Sequence, residues 1–268
     1  GTPTGLDSLD EALGGGLKPG RVVVLAARPS VGKTSLAQQI GIQVARQGRP
    51  VLMLSQEMPA GDLVDRAVSN LAGVALDRLG TGRLQGDDWA RITEGVDAAT
   101  RLPFFVDDEP GLTLMAIRAK ARRVQQQHGL ALLVVDYLQL CVSSGAFDKR
   151  HHQIEQISRG LKTLAKELDC CVIVLSQLNR GGAEDEPELQ HLKESGAIEE
   201  DADVVLMLHP MAREPDGGLL VLAKIPKNRQ GRRGRPGLLF YGPTQNWQTS
   251  SADVSSRRGR DGGRVWPT

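Results

Sequence analysis

A glycine, a lysine and a threonine close the run Ala26-Ala27-Arg28-Pro29-Ser30-Val31-Gly32-Lys33-Thr34. Those residue types in that order hold polyphosphate. Lys33 supplies a point charge for the β- and γ-phosphates, and Thr34 a hydroxyl for Mg²⁺. Gly32 lets the backbone approach the anion with no side chain in the way. Arg28, Pro29, Ser30, Val31 and Ser35 complete the segment that would surround a nucleotide. The pattern G-x-x-x-x-G-K-[ST] asks for a glycine where Ala27 stands. Ala27 adds one methyl group at the loop entrance, which a negative φ accommodates.

Three further polar groups each end a short apolar run: Ser55-Gln56-Glu57, Asp136-Tyr137 and Ser176-Gln177. Asp136, after four apolar residues, suits a carboxylate that binds Mg²⁺ through water. Glu57 is the residue to polarise an attacking water, and Gln177 the one to sense the γ-phosphate. Taken singly, each is also readable as a solvated residue at a strand end. Their joint occurrence carries the reading.

These groups need elements to position them. Val22 to Leu25 is a β-branched run leading into the loop, and Thr34 to Arg46 has helical spacing at Leu36, Ile40 and Val44. Strands are expected at 51–54, 104–106, 132–135, 172–175, 204–208, 219–225 and 238–241. Helical patterns fall between them at 113–128 and 152–168, with a helix-rich stretch over 62–101 broken at Gly80 and Gly86. Alternating strands and helices predict an α/β fold, a mostly parallel twisted sheet with helices on both faces. In such a sheet ligands bind beyond the carboxyl ends of the strands, which is where all four polar groups lie. Residues 1–249 are read as one domain, and 250–268, rich in Ser, Arg, Gly and Asp, as a flexible basic tail.

Composition narrows the classes. The chain has 268 residues, 40% of them hydrophobic, with a formal net charge of +1. That is enough for one substantial core, and it gives no global reason to bind nucleic acid. Aromatics are only 3%, which disfavours a surface that stacks bases on rings. Three cysteines, two adjacent, make neither a disulfide framework nor a spaced metal site. No apolar run is long enough to cross a bilayer. The expectation is a cytoplasmic protein with no membrane partner.

The runs AARPSVGKTS, LSQEMP (54–59), TGRLQGDDWARI (81–92), VVDYLQL (134–140), ISRGLKTLAKEL (157–168), LSQLNR (175–180) and KESGAIEEDAD (193–203) together resemble the ATPase domain of DnaB-type replicative helicases. The match runs in order from about Thr4 to Trp247. An alanine opening the loop, with Arg-Pro inside it, is usual in that family. The resemblance implies a RecA-like P-loop NTPase core acting as a hexameric ring around single-stranded DNA, driven by ATP with Mg²⁺. It makes Glu57 the catalytic carboxylate, Asp136 the Walker B acid, and Gln177 the link from γ-phosphate to DNA. The stretch Lys227-Asn228-Arg229-Gln230-Gly231 looks like the family's Lys-Gln-Arg-Asn-Gly element with its two middle polar residues changed. Carried over, Arg229 is an arginine finger reaching a neighbour's site and Lys227 its companion. The bare alternative is that 224–235 is a solvated basic hairpin.

DNA contacts are implied at Lys193, Glu194 and Gly196, with Lys193 replacing the usual arginine and so losing bidentate phosphate geometry. A second candidate loop is 143–152, with Lys149 and Arg150. His151 and His152 read as an exposed loop pair rather than metal ligands. Primase or a helicase loader are the further partners implied. Full-length members carry an N-terminal collar domain and a linker helix, and this sequence opens almost at the ATPase core. The expectation is therefore weak ATPase activity and a monomer in isolation. Two rivals stand beside the helicase: another RecA-like ATPase, of recombinase or clock type, and a non-catalytic helicase-like adaptor. The intact Lys33, Thr34, Glu57 and Asp136 argue against the adaptor, and LSQEMP, DYLQL and KESGAIEEDAD against the other ATPases.

Overall fold

Short apolar runs with little polar alternation form strands covered on both faces. In the computed structural model, β1 (Val22–Ala27), β2 (Val51–Ser55) and β4 (Leu132–Asp136) are buried along their whole length, as is nearly all of β5 (Cys171–Gln177). The structure describes residues 1–136, 147–179, 185–192, 196–229, 231–252 and 254, without the side chains of 147–151. With β3 (Phe104–Asp107), β6 (Val204–Arg213), β7 (Leu219–Asn228), β8 (Gly237–Tyr241) and β9 (Asn246–Thr249), the described strands form one sheet in the order β3-β2-β4-β5-β1-β6-β7-β8-β9. Pairing is parallel from β3 to β6 and antiparallel from β6 to β9.

Strand periodicity divides the core into two layers. Val23, Leu25 and Ala27 face α1 (Asp7–Ala12) and α2 (Lys33–Arg46), meeting Leu9, Leu36, Ile40 and Val44. Val22, Val24 and Ala26 face α6 (Leu114–His128) and α7 (Phe147–Glu167), meeting Ile117, Ile157, Leu161 and Leu164. Leu36 and Ile40 are almost wholly buried, each adding roughly 2 kcal/mol of apolar transfer. A flanking group, α3 (Ala60–Ala72), α4 (Leu76–Thr81) and α5 (Asp88–Arg101), follows β2, and α8 (Gly196–Asp201) packs on α7. No described helix is long and apolar enough to cross a membrane.

The expected elements are present, with differences of local cause. The helix-rich stretch breaks first at Gly73, whose φ of 64° gives α3 a left-handed cap. Gly80 lies inside α4, and Gly82, at φ 68°, ends it. The expected loop 143–152 is helical from Phe147 onward, so Lys149 and Arg150 sit in the first turns of α7 and exposed His152 is helical too. Helices α1 and α8 and strand β9 had no signal in the periodicity. Chain packing also runs past the composition break: Val254 is buried against Leu220 and Leu222. Residues 255–268, with the arginines of the expected tail, lie outside the described residues.

Candidate nucleotide site

The loop between β1 and α2 begins on a buried residue and ends on a left-handed one. Ala27 is the last residue of β1, 1% exposed and part of the α2-side core. Ser30 has φ 63° and Gly32 φ 97°, so the chain turns sharply before α2 starts at Lys33. The first helical bond runs from the Leu36 amide to the Gly32 carbonyl, 2.9 Å. The amides of Lys33, Thr34 and Ser35 therefore have no acceptor within the helix and carry its positive dipole end. That is an anion site built of backbone.

Gly32 has a second reason to be glycine. A Cβ there would lie 2.9 Å from Trp247 and 3.0 Å from Phe240, whose rings stack with centroids 4.5 Å apart. The loop thus rests on an aromatic pair supplied by β8 and β9. Gln39 of α2 holds that pair in place, donating to the Trp247 carbonyl and accepting its amide, both at 2.7 Å. The Ser35 hydroxyl also faces this side, donating to the Gln245 carbonyl at 3.3 Å.

Register brings the acidic groups to the loop. Ser55 pairs with Asp136 across β2 and β4, and the Gln56 amide donates to the Asp136 carbonyl at 2.8 Å. Ser55 then closes a turn on Met58, donating to its carbonyl and accepting its amide, and this leaves Glu57 exposed at the sheet edge. Ala27 pairs with Gln177, so the end of β5 lies beside the loop as well. The deciding contact is between side chains: the Thr34 hydroxyl donates to Asp136 Oδ2 at 2.8 Å. Asp136 is fully buried, and its Oδ1 has no hydrogen-bond partner among the described residues.

Burial dominates the charges here. It pushes the Asp136 carboxyl above its ordinary value, against the pull of the Lys33 ammonium and the Thr34 hydrogen bond. It pushes Lys33 down, against Asp136 and Glu57. A desolvated ammonium at a helix start suits a phosphate, and a buried carboxylate oxygen beside a threonine hydroxyl suits a hard divalent cation such as Mg²⁺. Among the described residues no cluster of three His, Cys, Asp or Glu could hold a metal by itself. The donor set at Thr34 and Asp136 fits an ion that takes its remaining ligands from phosphate and water.

One residue near the site escaped the sequence reading. Arg66 of α3 is half-buried; burial lowers its pKa, opposed by the charges of Asp62, Asp136 and Glu57. Helical spacing from fully buried Leu63 would have turned it inward. Other expected residues are placed elsewhere. The buried Arg28 side chain leaves the loop and donates to the Asp185 carbonyl at 3.3 Å. Lys227 and Arg229 stand at the opposite sheet edge: Asn228 pairs with Val204, which pairs with Val23. From Val204 to Leu208, the partner of Ala27, is four residues of β6, about 13 Å. Lys193 and Glu194 lie outside the described residues, as do the side chains of Lys149 and Arg150, while Gly196 starts α8.

Comparison with known proteins meets this geometry at one family. Residues 1–249 match the model described as DnaB-like helicase C terminal domain. The chain belongs to that family. Similar relatives include the replicative DNA helicase DnaB of Leifsonia xyli subsp. xyli (strain CTCB07), 41% identical over 237 residues, 84% of this chain and 51% of the relative. The replicative DNA helicase DnaC of Bacillus subtilis (strain 168) is 37% identical over 248 residues, 90% of this chain and 54% of the relative. The chain therefore spans about half the length of the curated relatives it matches. Among solved structures, one described as an ATPase domain superposes with a TM-score of 0.86 at 29% identity, covering 93% of this chain and 91% of that one. A DnaB-like replicative helicase described with its interactions with primase gives 0.85 at 30% identity, covering 92% and 61%. A DnaB-like C-terminal domain is thus a RecA-like α/β core whose parallel strands end around Lys33, as the sequence pattern implied.

Proposed function

We propose that this chain is the motor part of a replicative DNA helicase, which hydrolyses ATP to move along single-stranded DNA and separate the duplex. The observation that carries it is the Thr34–Asp136 contact at 2.8 Å beside the Lys33 helix start. Lys33 and the first-turn amides bind the phosphates, and Thr34 with Asp136 holds the metal. Mg²⁺, when bound, neutralises charge on the β- and γ-phosphates. Glu57, exposed at the next strand end, orients the attacking water and takes its proton, and Gln177 reads the γ-phosphate from β5. Arg229, with Lys227, serves a neighbour's site, because about 13 Å of sheet separates the pair from its own loop.

Single-stranded DNA is the track, held through its backbone at Lys193, Glu194 and Gly196 and by Lys149 and Arg150, so that sequence does not matter. The working form is a hexameric ring in the cytoplasm, and primase or a loader is a partner. Residues 1–249 form the motor domain, and the chain packs on past them as far as Val254. The test is ATP hydrolysis with and without single-stranded DNA, on wild type and on Lys33→Ala. DNA-stimulated hydrolysis that Lys33→Ala abolishes is expected. Wild-type protein that hydrolyses no ATP at any concentration would remove the motor and favour an adaptor.

A further inference from the structure

Asp203 sits where four elements meet. Its carboxylate is 3% exposed and takes three donors: Lys162 Nζ of α7, Arg21 Nη1 at 3.2 Å, and the Val22 amide of β1 at 2.8 Å. Its own amide donates to the Val22 carbonyl at 2.9 Å, and its carbonyl accepts the Arg229 amide at 2.9 Å. Val204, the next residue, begins β6 and pairs with Asn228. The backbone of Asn228 and Arg229 is therefore fixed to Asp203 or its neighbour, and Asp203 is fixed to the central strand. Burial alone would push this carboxyl up, but the hydrogen bonds from Lys162 and Val22 outweigh it and hold it below its ordinary value.

The side chains of the pair are held from the same corner. Lys227 Nζ donates to the Glu199 carbonyl and, at 3.4 Å, to the Glu200 carbonyl, while Arg229 Nη2 donates to Glu200. These carbonyls belong to the last turn of α8, where a helix has no internal donors to offer. That turn reads Glu199-Glu200-Asp201, three carboxylates at the negative end of the helix dipole. Lys227 and Arg229 offset both the orphan carbonyls and the acidic crowding. Two residues after α8 the chain reaches Asp203, so backbone and side chains of the pair depend on one anchor.

We infer that Asp203, fixed to β1 and α7 by its carboxylate and joined to Arg229 by its own carbonyl and the nearby α8 carbonyls, is the positioning residue for the Lys227–Arg229 pair. The inference rests on the reading that Arg229 acts on a neighbour's nucleotide. Asp203 touches no nucleotide itself, since it lies at the amino-terminal edge of β1, away from Lys33. It keeps the cation pair at one place on the sheet edge, ready to exchange helix carbonyls for phosphate oxygens.

The test is a double-mutant cycle on DNA-stimulated ATP hydrolysis, with wild type, Asp203→Asn, Arg229→Ala and both together. Arg229→Ala should cost about 10³-fold or more, as removal of an arginine finger does. Asp203→Asn should cost on the order of 10²-fold, the loss expected of a displaced catalytic group. On the Arg229→Ala background Asp203→Asn should change the rate by less than about twofold, because it acts through a residue already gone. Asp203→Glu should recover part of the rate. Full multiplicative losses in the double mutant would overturn the inference, since Asp203 would then act independently of Arg229. No loss in Arg229→Ala would instead sink the reading on which it rests. If Asp203→Asn no longer unfolds cooperatively, Asp203→Asn with Lys162→Met, which removes both buried charges, carries the same cycle.

Discussion

At the residue scale, the loop separates a glycine that is needed from one that is not. Gly32 combines φ 97° with aromatic carbons 2.9 and 3.0 Å from where a Cβ would go. Gly32→Ala should destabilise the chain by roughly 2 kcal/mol and remove nucleotide binding, because strain and the clash with Trp247 both move the helix start. Thermal unfolding together with titration of a fluorescent ATP analogue measures both. A variant as stable as wild type would mean that the Phe240–Trp247 stack gives way. Ala27 is the converse. Its methyl is buried at the end of β1, so restoring the pattern's glycine, Ala27→Gly, should cost about 1 kcal/mol and leave ATP affinity unchanged. Tighter binding in that variant would show the alanine to be a compromise. Lys33 and Thr34 were legible as neighbours because a strand before and a helix after set the loop's direction, and Asp136 because it ends a continuous apolar strand. The sequence did not reveal the second function of Gly32, because the residues that enforce it are more than two hundred positions downstream.

At the element scale, what was legible is what periodicity encodes. The continuous apolar runs of β1, β2, β4 and β5 and the stripe of α7 from Ile154 to Leu164 fixed the parallel sheet and its covering layers. Six-residue helices such as α8, and a final strand of four residues, are too short to show a period, and tertiary contacts place them. The 185–192 segment is a further such case: it is anchored by ion pairs rather than by pattern. Glu186 takes both Arg235 nitrogens at 2.6 and 2.7 Å and lies 3.6 Å from Lys224. The Arg235 guanidinium holds the Glu186 carboxyl at about 2, below its ordinary 4.5. A depressed acid contributes stability that is complete above its unfolded value and lost as pH falls through the folded one. The pair should therefore stabilise at neutral pH and fade between about pH 4.5 and 2. Glu186 is partly exposed, so the gap between wild type and Glu186→Gln should be at most about 1 kcal/mol at pH 7, and it should narrow by pH 3. A gap that does not change with pH would assign the effect to packing. Both unfolding curves at the two pH values decide it.

At the scale of the whole molecule, the proposed role of Arg229 calls for more than one subunit. Lys33 lies beyond the carboxyl end of β1, and Arg229 follows β7, whose last residue lies beside the start of β6. The pairing of the described strands holds the two edges apart, so with Arg229 as the proposed finger a shared site needs a second copy whose opposite edge faces the loop. This geometry makes a sharp prediction about mixtures. Lys33→Ala subunits keep a sound Arg229 but bind no phosphate, and Arg229→Ala subunits keep a sound loop but offer no finger. Each alone should be inactive. In a ring assembled from equal amounts of both, an active site forms wherever the loop of an Arg229→Ala subunit meets the finger of a Lys33→Ala subunit. Random assembly gives that arrangement at about one interface in four, so up to about a quarter of the wild-type rate should return if the sites act independently. The recovery should rise with total protein concentration, because only assembled rings contain such interfaces. If Arg229 served its own loop, no mixture could combine the two intact halves, and the rate would stay at the sum of the separate variants at every concentration.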